Sequence, residues 1–216
     1  MFINYMLKKP KFWDKNHDTI FSIILIPFTI VLVFKNWINQ FYNRKNFKIK
    51  SVCVGNIYLG GTGKTPLTIE IYKIFKKLKL KPVFIKKLYP NQKDERRILE
   101  KIGPVLSNRN RQISIEEATI RKFKVVIIDD GLQDYSIDYD LKIVCFDKKN
   151  FIGNGRLIPS GPLRENLKSL KNFDILFFNG YEKLNKNLIK TVLSINKNIK
   201  VFETYQKFVN LNKIKK

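Results

Sequence analysis

Gly60, Gly61, Thr62, Gly63, Lys64 and Thr65 are the residue types that hold a nucleotide polyphosphate, and they stand consecutively. Glycines let a backbone curl until its N–H groups converge on an anion. A lysine reaches the β- and γ-phosphates, and the following hydroxyl ligates Mg²⁺. The usual loop reads G-x-x-x-x-G-K-[ST]; counting back from Gly63 puts Tyr58 at its first position. The stretch is therefore either a variant loop with its own glycine layout or a glycine-rich turn carrying a chance Gly-Lys-Thr. The apolar strand before it and the amphipathic helix after it favour the first.

Asp129 and Asp130 end the apolar run KVVIID. A P-loop enzyme needs an acidic residue at a neighbouring strand end for the metal bridging the phosphates. Two adjacent carboxylates repel each other without a cation, so Thr65, Asp129 and Asp130 form the expected metal set. An acidic turn after a strand is the plainer alternative. FIGNGRLIPSGPLRE, residues 151–165, has three glycines and two prolines and reads as a loop. Its Arg156 and Arg164 suit neutralisation of charge on a transferred phosphoryl group or an anionic substrate; a solvated connector would look similar.

Elements must hold these residues. Apolar runs rich in β-branched and aromatic residues occur at 51–55, 82–85, 124–129, 141–147, 174–179 and 199–204. Their lack of polar alternation predicts strands of a mostly parallel sheet covered on both faces. Between the first two, residues 65–80 predict a helix with Leu67, Ile71, Ile74, Phe75 and Leu78 on one face. Leu184, Leu188, Ile189, Val192 and Leu193 predict another. The fold expected is a P-loop NTPase-like, three-layer α/β domain.

Before it, Thr19–Phe34 is apolar, interrupted by Pro27 and flanked by lysines on both sides and by Trp13 and Trp37. Its 15 residues from Ile20 fall short of the roughly 20 that span a bilayer. A helix over about 19–40 lying in a membrane interface fits best; a span or a buried helix are alternatives. The expected organisation is a basic N-terminal segment (1–46), a P-loop core (47–150) and a substrate-loop region opening a further subdomain (151–216).

The net charge of +24 suits a polyanionic partner, or reflects a Lys-, Ile- and Asn-rich background, and decides nothing alone. One histidine and two separated cysteines exclude a zinc site of ordinary spacing. Cys53 and Cys145 sit in apolar runs and read as buried thiols of a reducing compartment.

Taken in order, GNIYLGGTGKTP, DERRIL (94–99), DDGLQ (129–133) and GNGRLIPSGPLRE (153–165) resemble the tetraacyldisaccharide 4'-kinase family of lipid A biosynthesis, over roughly residues 8–205. The extra spacing in the loop is that family's own form. The resemblance implies an enzyme on the cytoplasmic face of the Gram-negative inner membrane. It would use ATP and Mg²⁺ to phosphorylate the 4'-hydroxyl of an acylated glucosamine disaccharide 1-phosphate, with no nucleic acid partner. It also implies Asp94 as base on that hydroxyl, although Lys93 and Arg96 replace the glycine and proline of the family motif. Without the resemblance, Asp94-Glu95 reads as an acidic pair on a solvated loop.

Asp134 stands where the family has histidine. No histidine follows His17, and only 36 residues follow Gly180, whereas the family has a longer C-terminal region with a histidine that pairs with the catalytic aspartate. A truncated or split member is expected, a divergent one being the alternative. Two other classes compete: a membrane-associated switch ATPase of the partition or cell-division type, and a basic nucleic-acid-binding module. The first usually carries a second lysine where Tyr58 and Leu59 stand; the second leaves the loop unexplained.

Overall fold

The computed structural model describes residues 9–15, 17–89 and 93–205, without the side chains of Gln40 and Lys93. The first eight residues of the basic N-terminal segment, with Lys8, and the end of the chain after Tyr205 lie outside them.

Seven parallel strands form one sheet: β1 (Lys50–Gly55), β2 (Pro82–Lys87), β3 (Val105–Asn108), β4 (Val125–Asp129), β5 (Leu141–Asp147), β6 (Ile175–Asn179) and β7 (Lys200–Thr204), in the order β3-β2-β4-β1-β5-β6-β7. The six predicted runs are all strands. β3 (VLSN) was not anticipated, because only two of its residues are apolar. The sheet continues without a break from the residues before 150 to those after it.

Successive side chains leave a strand on opposite faces, and the core divides accordingly. On one face Cys53, Val83, Ile128 and Phe146 pack with Ile115 and Ala118 of α5 (Arg111–Ile120) and Val192 of α6 (Lys186–Ile195). On the other, Val52, Val54, Phe84 and Ile127 meet Leu67, Ile71, Tyr72 and Phe75 of α3 (Lys64–Lys77), with Leu99 of α4 (Lys93–Glu100) beside them. All five residues of β4 are buried, as a strand covered on both sides requires. The inner face of α3 differs from the predicted stripe. Tyr72 and Thr68 point inward, Tyr72 stacking on Phe84 with ring centroids 4.5 Å apart, while Ile74 and Leu78 are exposed. The sheet beneath selects which side of the helix is covered. α4 also departs from expectation: the acidic pair opens a helix rather than sitting on a loop.

The N-terminal apolar segment is helical but broken. α1 (Ile20–Ile24), capped by the Thr19–Ser22 capping box, gives way to a 3₁₀ turn at Ile26–Thr29, then α2 (Ile30–Ile38) and a 3₁₀ turn at Asn39–Phe41. Pro27, which lacks a donor, lies in the interruption. Among the described residues, no helix is long and apolar enough to cross a membrane.

This segment is tied to the loop at 151–165. Arg156 Nε and Nη2 donate to Asp18 at 2.6 Å each, Ser160 Oγ to the Ser22 carbonyl at 2.6 Å, and Asn36 Nδ2 to the Arg164 carbonyl at 3.1 Å.

Candidate active site

In a sheet of this kind ligands bind beyond the carboxyl ends of the central strands, where the chain reverses its direction of progress. Here β1 is flanked by β4 and β5, and the glycine loop leaves its carboxyl end. Gly63 caps α3 with φ of 80°, a left-handed conformation that favours glycine. A Cβ there would also lie 2.5 Å from Asn179 Nδ2.

Buried Asn56 organises the rest of the loop: its Nδ2 donates to the Tyr58 carbonyl, the Gly60 carbonyl (3.2 Å) and Thr62 Oγ1 (3.1 Å). Tyr58, which displaces the usual first glycine, has a structural use. The chain around it pairs with the loop at 151–165: Arg164 N–H donates to the Ile57 carbonyl at 2.7 Å, and Leu59 N–H to the Pro162 carbonyl at 2.8 Å. Its ring lies under Lys9 Nζ at 4.7 Å, and its hydroxyl donates to Asp14. The extra spacing thus builds an edge on which the second loop docks.

Above the glycine loop is a cleft of about 1010 Å³, lined by Gly60, Gly61, Thr62, Gly63, Lys64, Thr65, Glu95, Asp130 and Arg164, with Lys9, Pro10 and Trp13 on one wall. That is at the upper end for small-ligand sites. The side chain of Lys64 is mostly buried, with Nζ 3.9 Å from Asp130 Oδ1. Asp130 has φ of 58°, a strained conformation for a residue with a side chain. Burial acts to raise the Asp130 carboxyl pKa, but the charges of Lys64, Arg164 and Lys86 outweigh it and hold it below the ordinary range. Arg164 Nη1 reaches Asp130 at 3.2 Å and Gln133 Oε1 at 3.2 Å.

Asp129 is buried at the end of β4. Thr65 Oγ1 approaches its Oδ2 at 3.4 Å and Thr68 Oγ1 its Oδ1 at 3.5 Å. A hydroxyl and two carboxylates are hard oxygen donors. They suit Mg²⁺, which takes one or two carboxylates and completes its shell with water and substrate phosphates. Among the described residues there is no group of three or more His, Cys, Asp or Glu that could hold a metal ion.

Two of the expected residues do not join this cluster. Arg156 lies on the outside, bound to Asp18. Asp94 projects into solvent from the first turn of α4, its side chain 96% exposed, whereas its neighbour Glu95 lines the cleft.

Several groups were missed. Lys86 at the end of β2 contacts Glu95 and lies 2.6 Å from Asp129 Oδ2; burial works against its ammonium form, but those two carboxylates prevail and raise its pKa. Arg111 Nη2 donates to the Asp130 carbonyl at 2.6 Å and its Nη1 to Asp134 at 3.0 Å. Gln133 Nε2 donates to the Asn56 carbonyl and to Glu165 Oε1, each at 2.9 Å. Burial pushes the Glu165 carboxyl pKa up despite hydrogen bonds from Gln133 and Tyr135. A lysine closing an otherwise apolar strand was the visible signal for Lys86; Arg111, in a segment of weak pattern, offered none.

A second cleft, of about 610 Å³, opens on the other side of Arg164. Phe28, Val31 and Leu32 form an apolar wall, and Lys35, Lys87, Arg111 and Arg164 supply cationic groups. The two clefts share Asp130, Ile158, Pro159 and Arg164.

A parallel sheet with a glycine loop leading into a helix, a lysine and hydroxyl at its end and acidic residues closing the adjacent strand define a P-loop NTPase fold. The family model for tetraacyldisaccharide-1-P 4'-kinase matches residues 21–102 and 93–215, and the chain belongs to that family. A tetraacyldisaccharide 4'-kinase of Pelagibacter ubique is 48% identical over 206 residues, covering 95% of this chain and 65% of the relative. Another from Ruthia magnifica is 30% identical over 198 residues, covering 82% and 63%. The chain thus spans under two thirds of the length of these relatives. In fold it resembles LpxK from Aquifex aeolicus, solved in complex with ATP, with a TM-score of 0.64 at 22% identity over 88% of this chain and 82% of that one. The signal recognition particle 54 kDa protein of Aeropyrum pernix shares the fold more distantly, with a TM-score of 0.52 at 12% identity over 88% of this chain and 50% of that one.

Proposed function

We propose that this chain transfers the γ-phosphate of ATP to the 4'-hydroxyl of a tetraacyldisaccharide 1-phosphate, an acylated glucosamine disaccharide. The observation that carries the proposal is the meeting of two unlike clefts at Asp130 and Arg164. One is a phosphate cradle. The other has an apolar wall facing cationic groups, which suits an amphiphile bearing acyl chains and a phosphate. The family name supplies the identity of that amphiphile.

In this reading the N–H groups of Gly60–Gly63 and the N-terminus of α3 hold the polyphosphate. Lys64 and Arg164 stabilise the charge that spreads over the transferring group. Thr65 and Asp129, with Asp130, would hold Mg²⁺, which neutralises the phosphate oxygens when bound. Arg156 acts indirectly, by tying the loop at 151–165 to Asp18.

The hydroxyl proton goes to a carboxylate on the first turn of α4. The family resemblance points to Asp94, while Glu95 is the one that lines the cleft. Asp94→Asn and Glu95→Gln separate them: the base is the one whose loss abolishes transfer while ATP binding persists.

The place of action is the cytoplasmic face of the inner membrane. Supporting this, the side chains of Ile20, Phe21, Ile24, Ile30, Val31 and Phe34 are each at least 59% exposed, a patch too apolar to leave in water. Nine Lys/Arg against Asp14 and Asp18 give residues 1–50 a net charge of +7, and each basic group near an anionic leaflet adds about 1 kcal/mol. No nucleic acid partner is needed to account for the charge.

The test is transfer from γ-labelled ATP to detergent-dispersed tetraacyldisaccharide 1-phosphate by the 216-residue chain with Mg²⁺. Labelled lipid product that disappears in Lys64→Met supports the function. ATP hydrolysis stimulated by a protein partner, with no lipid labelled, would return the switch-ATPase reading.

A further inference from the structure

Lys86 and Asp129 are register partners on the adjacent parallel strands β2 and β4. Their side chains therefore leave the sheet on the same face. Lys86 Nζ lies 2.6 Å from Asp129 Oδ2 and also contacts Glu95 Oε2. The Lys86 side chain is 5% exposed and that of Asp129 fully buried. Thr65 Oγ1 approaches the same Asp129 oxygen at 3.4 Å. The oxygen that the P-loop hydroxyl and a divalent ion would share therefore already carries an ammonium group.

We propose that Lys86 is a resident cation of the metal site. It is a positioning residue that holds Asp129 and Glu95 in place before nucleotide arrives, and it makes the divalent ion enter as a second, competing cation. This rests on the reading of Thr65 and Asp129 as the metal-holding pair. A buried carboxylate with no counter-charge is strongly unfavourable, and an ammonium is a compact point charge able to donate to both acids. With Lys86 the trio of side chains carries a net charge of about −1; without it, about −2. Two charges of the same sign a few ångströms apart in a poorly solvated site repel strongly. Lys86 thus weakens divalent-metal binding and lessens the dependence of nucleotide binding on metal. A lysine that only braced β2 against β4 would change melting temperature and leave metal affinity alone.

The experiment measures Mn²⁺ affinity of the full 216-residue chain by electron paramagnetic resonance, with adenylyl imidodiphosphate present. Binding of that nucleotide in EDTA is measured alongside. Lys86→Met is expected to tighten Mn²⁺ by about 10-fold or more and to weaken metal-free nucleotide binding, with Lys86→Arg restoring both. Lys86→Gln, which keeps an uncharged donor beside Asp129, gives the same test should the methionine variant not fold. Asp129→Asn separates the two layers. Mn²⁺ binding lost in Asp129→Asn but unchanged in a folded Lys86→Gln overturns the role of Lys86 alone. No Mn²⁺ binding in the wild-type chain, or none lost in Asp129→Asn, overturns the metal assignment and the proposal with it.

Discussion

Arg164 Nη1 lies 3.2 Å from Asp130 Oδ1, across 34 residues of chain, and this pair joins the glycine- and proline-rich loop to the end of β4. It also stands at the junction of the two clefts. One guanidinium nitrogen, Nη1, reaches both Asp130 and Gln133. Arg164→Ala is expected to reduce phosphate transfer by about 100-fold or more, with little change in ATP affinity. Arg164→Lys should not restore it, because a compact ammonium lacks the guanidinium's planar, delocalised set of donors. Steady-state kinetics on both variants check this; wild-type turnover in Arg164→Lys would contradict it.

Gly63 makes a second prediction, on the backbone itself. Alanine there must adopt φ near 80° and meet Asn179 Nδ2 at 2.5 Å. Gly63→Ala should destabilise the fold by about 1–3 kcal/mol and weaken ATP binding. Gly61→Ala, whose added Cβ meets nothing within 4 Å, should be milder in stability. Urea denaturation and ATP titration of the two variants give the comparison.

The exposed apolar segment is expected to hold the chain on anionic vesicles. Ile24, Ile30 and Phe34 are 60%, 68% and 59% exposed, so replacing all three by serine leaves the core untouched. Vesicle affinity should fall by at least about 100-fold, since each buried side chain of this size contributes roughly 1.5–3 kcal/mol. The melting temperature should hold. Sedimentation with phosphatidylglycerol vesicles, at low and high salt, measures both the apolar and the charge contributions.

Asp140 sets a pH dependence. It accepts from Ser51 N–H at 2.9 Å, Ser51 Oγ at 2.8 Å and Lys50 Nζ at 2.8 Å, at the start of β1. Burial acts to raise its carboxyl pKa, but these partners prevail and lower it below the ordinary 3.8. A carboxyl depressed in the folded state contributes stability that is fully present above its unfolded value and lost as pH falls through its folded one. Asp140→Asn should therefore lower stability at neutral pH by about 1 kcal/mol. Below pH 3.8 the difference from wild type should shrink. Denaturation curves between pH 7 and 2.5 follow it.

Much of this was legible in the linear chain. The six long apolar runs became strands, and Gly63-Lys64-Thr65 opened a helix after the first of them. The rest was hidden for particular reasons. β3 carries only Val105 and Leu106 as apolar residues, too few to signal a strand. α5 turns Ser114 and Ala118 inward along with Ile115, so its stripe is weak. Asp94 and Glu95 differ by one position, about 100° around a helix, and which of them faces the cleft depends on how α4 lies over the sheet. Arg156 and Arg164 share one loop and one chemistry. They part because Asp18 captures the first and Asp130 the second.

Local devices were encoded in short stretches: where six of the seven strands run, where the backbone must curl, and which residues can hold phosphate and metal. Those depend on conformational preferences of a few neighbouring residues, so a short stretch encodes them. The partners came from the fold as a whole: Lys86 on Asp129, Arg111 behind Asp130, and Tyr58 as a docking edge. Such pairs form between segments tens of residues apart, and their distances follow from strand order and loop placement.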